Sequence, residues 1–92
     1  MPTLRFPALM KYYVENQSEI HASGETLRAV VENALARYPT LKPHLLDSSG
    51  NLRRHFNIFI NGVHIRELNG MDTSVTEDDK IILMASAAGG AP

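Results

Sequence analysis

Few positions in this 92-residue chain combine residue type and spacing in a way that chemistry could use. The histidines His21, His44, His55 and His64 are scattered, without metal-ligand spacing or a supporting pair of carboxylates. They read as surface or hairpin residues. His55 and His64 are candidate cross-strand neighbours, but two imidazoles do not make a zinc site. Asp78 and Asp79 read as a turn, because catalytic carboxylates would need a pocket that so small a domain is expected to lack. With no cysteine there is no disulfide, zinc ribbon or thiol nucleophile. Gly24, Gly50, Gly62 and Gly70 mark turns and form no phosphate-binding fingerprint. What remains is the stretch "ILMASAAGGAP". Gly89-Gly90 is a poor way to stop a fold and a good way to expose a carboxylate, since glycine lets a backbone pass close to another protein. Ala91-Pro92 would turn that carboxylate into an amide.

The rest of the composition narrows the setting. The chain is long enough for one domain and one modest core, burying roughly 60–65% of its unfolded surface. Hydrophobic residues make up 43% and charged residues 21%, which fits a folded globular protein and not a disordered one. A net charge of -1 argues against general nucleic-acid binding, which needs concentrated Lys and Arg. No run is long and apolar enough to span a membrane, and no signal-peptide pattern opens the chain. A cytoplasmic protein without nucleic-acid or membrane partners is the expectation.

The elements that must carry the glycine pair follow from periodicity. "TLRF", Thr3 to Phe6, reads as a first strand with Leu4 and Phe6 facing the core. "ALMKYYVENQ" reads as a loop with Leu9 and Tyr13 among its apolar anchors, and "SEIHA" as a second strand. Leu27, Val30, Val31, Ala34, Leu35 and Tyr38 recur at three- and four-residue spacing, the apolar stripe of one helix. Ser23 or Thr26 can cap its start, and Pro39 stops it. "LKPHLLD" allows a further helical turn. Phe56, Ile58 and Ile60 share one face of a strand, Asn57 and Phe59 the other. Asn61-Gly62 predicts a type I′ hairpin turn, with Val63 to Arg66 returning. "NGMDTSVTEDD" is loop, in which Asp72 and Thr73 take a structural turn role, and "KIILMAS" is the last strand. One amphipathic helix across a mixed sheet of four or five strands is an α+β β-grasp, with first and last strands parallel at its centre.

A β-grasp order closing on Gly89-Gly90 resembles the ubiquitin-like sulfur-carrier (ThiS/MoaD) superfamily. The likeness spans essentially the whole chain. It rests on "FPALMKY", "SGETLRAVVENALARYP", "FNIFINGVHIREL", "NGMDTSV" and "DDKIILMASAAGG". The resemblance is closest to carriers of the cysteine-synthesis and siderophore-thioacid type. It implies a domain over residues 1–86 and a tail over 87–92. It implies that an E1-like enzyme, using ATP, adenylates the Gly90 carboxylate, and that a sulfur donor converts it to a thiocarboxylate for a sulfur-acceptor synthase. Ser86, Ala87 and Ala88 keep the approach slim. Most such carriers end at Gly-Gly; some of the closer group are trimmed by a JAMM-type zinc metalloprotease. Cleavage between Gly90 and Ala91 is therefore implied. The chain would be a co-substrate and not an enzyme, with no bound cofactor. A protein modifier joined to lysines, or a β-grasp interaction domain with an incidental Gly-Gly, are the alternatives.

A docking face is expected from strand parity. If Ile81 and Leu83 face the core, Ile82, Met84 and Ser86 point away from the helix, joined by Phe59. Apolar residues where polar ones normally stand mark a partner site, and Met adapts to more than one partner. Arg5, with Arg53 or Arg54, would supply a charged rim. The competing possibilities are that Ala8 to Gln17 covers this face, or that the parity is off by one.

Overall fold

The computed structural model describes residues 1–85. Strands β1 (Thr3–Arg5), β2 (Glu19–His21), β3 (Phe56–Ile60), β4 (Val63–His64) and β5 (Lys80–Ala85) form one sheet in the order β2-β1-β5-β3-β4. β1 and β5 are parallel, and the other neighbours are antiparallel. The inward residues Leu4, Ile20, Ile58, Ile60, Ile81 and Leu83 are buried, as alternation requires.

Helix α1 (Leu27–Arg37) lays Leu27, Val30, Val31 and Ala34 into the same core. Of the two possible caps it is Thr26 that serves, its hydroxyl accepting the Ala29 N–H at 3.2 Å. Just before it, Gly24 lies against the first turn. A Cβ there would stand 2.6 Å from the Val30 nitrogen, so only glycine allows the chain to enter the helix this closely.

Helix α1 is not alone. Residues Ala8–Val14 form a 3₁₀ helix rather than a loop. Its anchors also differ from expectation: Met10 and Val14 are buried and Tyr13 packs against the core, whereas Leu9 is 83% exposed. Met10 and Tyr13 stand three residues apart, the repeat of a 3₁₀ helix, and both pack on the core. A 3₁₀ turn, Pro39–Leu41, runs directly into the short helix α2 (Lys42–Leu45), burying Leu41 and Leu45.

The hairpin forms at the predicted place. Asn61 and Gly62 both have positive φ, 51° and 87°, as a type I′ turn demands. The returning strand is shorter than expected. It ends at His64, because Ile65 turns into the core at the start of a 3₁₀ segment, Ile65–Glu67. The following loop is pinned by Thr73, buried, whose hydroxyl donates to the Gly70 carbonyl and accepts the Asn69 N–H. Arg28 of α1 reaches Asp72 at 3.3 Å. No helix is long and apolar enough to cross a membrane among the described residues.

Candidate docking face and tail exit

The sheet register assembles the outer face residue by residue. Aligned partners point to the same side, so one row runs across the sheet: Glu19, Arg5, Ile82, Phe59, His64. A second rank pairs Met84 with Asn57. The parity expected from the sequence is therefore the observed one. Met84 is 52% exposed, while Ile82 and Phe59 are half-buried by their neighbours. The segment Ala8–Val14 leaves this face uncovered: it packs on Pro39–Leu41 and sends Met10 and Val14 into the core.

Polar groups border the apolar centre on both sides. Arg5 is exposed on one flank, beside a shallow cleft of about 120 Å³ shared with Thr3, Glu19, Lys80 and Ile82. On the other flank the His64 ring stands edge-on to Phe59, with centroids 5.0 Å apart at 77°. His64 is fixed from both nitrogens. Its Nδ1 accepts the Arg66 N–H at 3.1 Å, and Nε2 lies 3.0 Å from Asn57 Oδ1. An amide oxygen can only accept, so the ring is the Nε2–H tautomer. Periodicity did not reveal this residue as part of the face, because its place depends on the hairpin register. The expected neighbour pairing of His55 with His64 does not occur. His64 is opposite Phe59, and His55 precedes β3 with its ring 4.4 Å from Phe56. Arg53 is likewise not on this rim. Its Nε donates to the Pro43 carbonyl at 3.1 Å, beside α2.

β5 is the last described element before the glycine pair in the chain. Ala85 pairs with Phe56 at the sheet end, on the strand with β1 on one side and β3 on the other. Ser86, Gly89, Gly90 and Ala91 lie outside the described residues, as does the division between domain and tail. From Ala85 to Gly90 is five residues, a span of at most roughly 17 Å when fully extended. Among the described residues no cluster of three or more His, Cys, Asp or Glu could hold a metal.

At the opposite end Asp79 closes the β5 entry. One carboxylate oxygen accepts the Thr76 N–H and the other the Asn61 side-chain amide, each at 2.8 Å. Asn61 in turn accepts the Lys80 N–H at 3.0 Å. The Thr76 amide, and then Asn61, hold the Asp79 carboxyl below its ordinary value.

A five-stranded sheet clasping α1, with a partly apolar outer face and a central last strand, defines a ubiquitin-like β-grasp protein. Its sequence matches the profile of the ThiS family over residues 4–90, and the chain belongs to that family. It is 31% identical to the sulfur carrier protein CysO of Mycobacterium tuberculosis over 90 residues, 96% of this chain and 97% of that protein. The crystal structure of M. tuberculosis CysO superposes with a TM-score of 0.86 at 28% identity, covering 95% of this chain and all, 100%, of the other. The solution structure of small archaeal modifier protein 1 from Methanosarcina acetivorans gives 0.83 at 27% identity, covering 97% and 95%. A chain of the Amycolatopsis orientalis BexX/CysO complex shares the fold at a TM-score of 0.87 and 21% identity, covering 98% and 100%.

Proposed function

We propose that this chain is a sulfur carrier whose working group is the carboxyl of Gly90. A JAMM-type zinc metalloprotease cuts the Gly90–Ala91 bond and releases whatever follows. An E1-like enzyme then takes the freed carboxylate. A carboxylate oxygen attacks the α-phosphorus of ATP, pyrophosphate leaves, and an acyl-adenylate forms. A sulfide-equivalent nucleophile attacks the acyl carbon, a C–S bond replaces the C–O bond to AMP, and a thiocarboxylate results. A synthase accepts that sulfur for an amino acid, a siderophore thioacid or a cofactor. The chain itself contributes no catalytic residue. It contributes a slim Gly89-Gly90 end and a face, Phe59, Ile82, Met84 and Arg5, by which the activating enzyme holds it.

The observation that carries this reading is the family match, which runs to Gly90 and leaves Ala91 outside, together with whole-length similarity to a sulfur carrier protein. The experiment is reconstitution of the 92-residue chain and of a chain ending at Gly90 with the E1-like enzyme, ATP and sulfide. Intact mass of the shorter chain should show oxygen-to-sulfur exchange, and the longer one should not until the protease is added. Exchange in neither, with an activating enzyme competent on its own carrier, would overturn the reading.

The likeness to a small archaeal modifier protein favours a second reading, in which the same activated glycine is joined to lysine amines. It predicts high-mass conjugates in cells that vanish when Gly90 is deleted.

A further inference from the structure

The outer face is not the sole surface that a partner reaching for Gly90 must meet. Ala85 lines a groove of about 230 Å³ on the helix side of the sheet, together with Leu9, Met10, Tyr13, His44 and Phe56. Its walls are paired rings: Tyr13 stacks on His44 at 4.0 Å and 18°, and His55 lies against Phe56. That volume is too small for a nucleotide and suits one or two side chains. Above it the 3₁₀ helix displays Leu9 and Tyr12, 83% and 80% exposed. Three residues make a turn of such a helix, so the two project from one edge. Neither contributes to the core, and large apolar side chains grouped this way mark a contact site.

Charge is sorted to match. Exposed Arg54 precedes His55 in the chain, exposed Arg53 bonds the carbonyl of Pro43, the residue before His44, and exposed Lys42 starts the same short helix α2. Glu25, Glu77 and Asp78 are exposed beside the β5 entry, with Lys80 next to them. The sole ion pair among the described residues, Arg28–Asp72, belongs to neither group. The net charge of -1 therefore conceals three exposed cations close in the chain or by hydrogen bond to the residues that line the groove, and three carboxylates beside Lys80 where β5 begins.

We propose that the tail-exit end is a second docking surface, on which the E1-like enzyme seats an apolar side chain flanked by its own carboxylates. This rests on the sulfur-carrier reading above. An enzyme that receives Gly90 must come up against the exit end, because the reacting carbon is at most roughly 17 Å from Ala85. Carboxylates on it would meet Lys42, Arg53 and Arg54, and an apolar group would fill the ring-walled groove.

The test is ATP–pyrophosphate exchange catalysed by the E1-like enzyme on the processed chain ending at Gly90. The wild type is compared with Leu9→Ser/Tyr12→Ser and with Arg53→Glu/Arg54→Glu, at low and at physiological salt. All four positions are exposed, and circular dichroism checks that both variants remain folded. Each pair should raise KM about tenfold or more with kcat nearly unchanged. The wild-type KM should climb with salt, and the arginine variant should lose that dependence. No exchange with the wild type would sink the sulfur-carrier reading itself. A wild type that exchanges while both variants match it would overturn this inference alone. So would a defect confined to protease cleavage, or a KM change that follows self-association in light scattering, since the occupant would then be the protease or a second copy.

Discussion

Two residues show how little of a side chain's role lies in its type alone. Gly24 reads as a turn glycine, but its cost on replacement comes from the α1 backbone beneath it. Gly24→Ala should destabilise the protein by about 1–3 kcal/mol in urea unfolding, because the neighbours are main chain and cannot step aside. Asp79 reads as a solvated turn acid, yet it bridges the hairpin to β5 through Asn61. Its carboxyl is held below the ordinary value in the folded chain, so its stabilising contribution is present above the unfolded pKa of about 3.9 and is lost as pH falls through the folded one. Thermal melts should therefore show stability dropping below about pH 4, and Asp79→Asn should lower stability at neutral pH while flattening part of that drop. The effect is small, because the carboxylate is partly open to water. Asn-Gly as a turn was legible from two letters. The clasp was not, because it joins positions 61 and 79 only once β3 and β5 have found their register.

At the scale of elements, neighbouring positions on β5 have opposite consequences. Leu83 faces α1 and Met84 faces outward. Leu83→Ala should cost about 2–5 kcal/mol in denaturant unfolding. Met84→Glu should leave the melting temperature almost unchanged and raise the KM of the activating enzyme about tenfold. A Met84→Glu variant that is adenylated normally would remove the outer face from the docking scheme. Alternation made this face readable, since a strand has only two sides. The segment Ala8–Val14 was harder. Tyr12 and Tyr13 together suggest neither a strand nor a helix, and Leu9 draws attention as an anchor. A 3₁₀ helix repeats every three residues, so Met10 and Tyr13 share one side and Leu9 and Tyr12 another, and a stretch this short gives that period little room to show. The length of β4 was not legible either: Ile65 continues the strand pattern, and only the demand of the core beneath it turns the chain inward.

For the whole molecule, the arrangement places the start of the chain and the tail exit at opposite ends. Thr3 pairs with Lys80, where β5 begins, while Ala85 lies at the other end of that strand. A fused domain ahead of Met1 should therefore leave sulfur loading at Gly90 within about twofold of the unfused protein by intact mass, as expected for a change away from the proposed docking surfaces. Slower loading by an order of magnitude would place a partner at the end where β5 begins. The fold was legible at this scale because one helix and two hairpin-like pairs with a fifth, last strand admit few arrangements. The nearness of Arg53 to α2 was not, since it needs the segment before β3 brought against that helix. The position of β5 has a last consequence, for synthesis of the chain. Leu4 pairs with Ile81, 77 positions later, and β3 also waits for the same strand. Contacts this distant in sequence form late, and no stable sheet exists until residues 80–85 have left the ribosome. A nascent chain broken off earlier has no folded form to protect it from proteases, so the chains that survive are those in which β5 has been made.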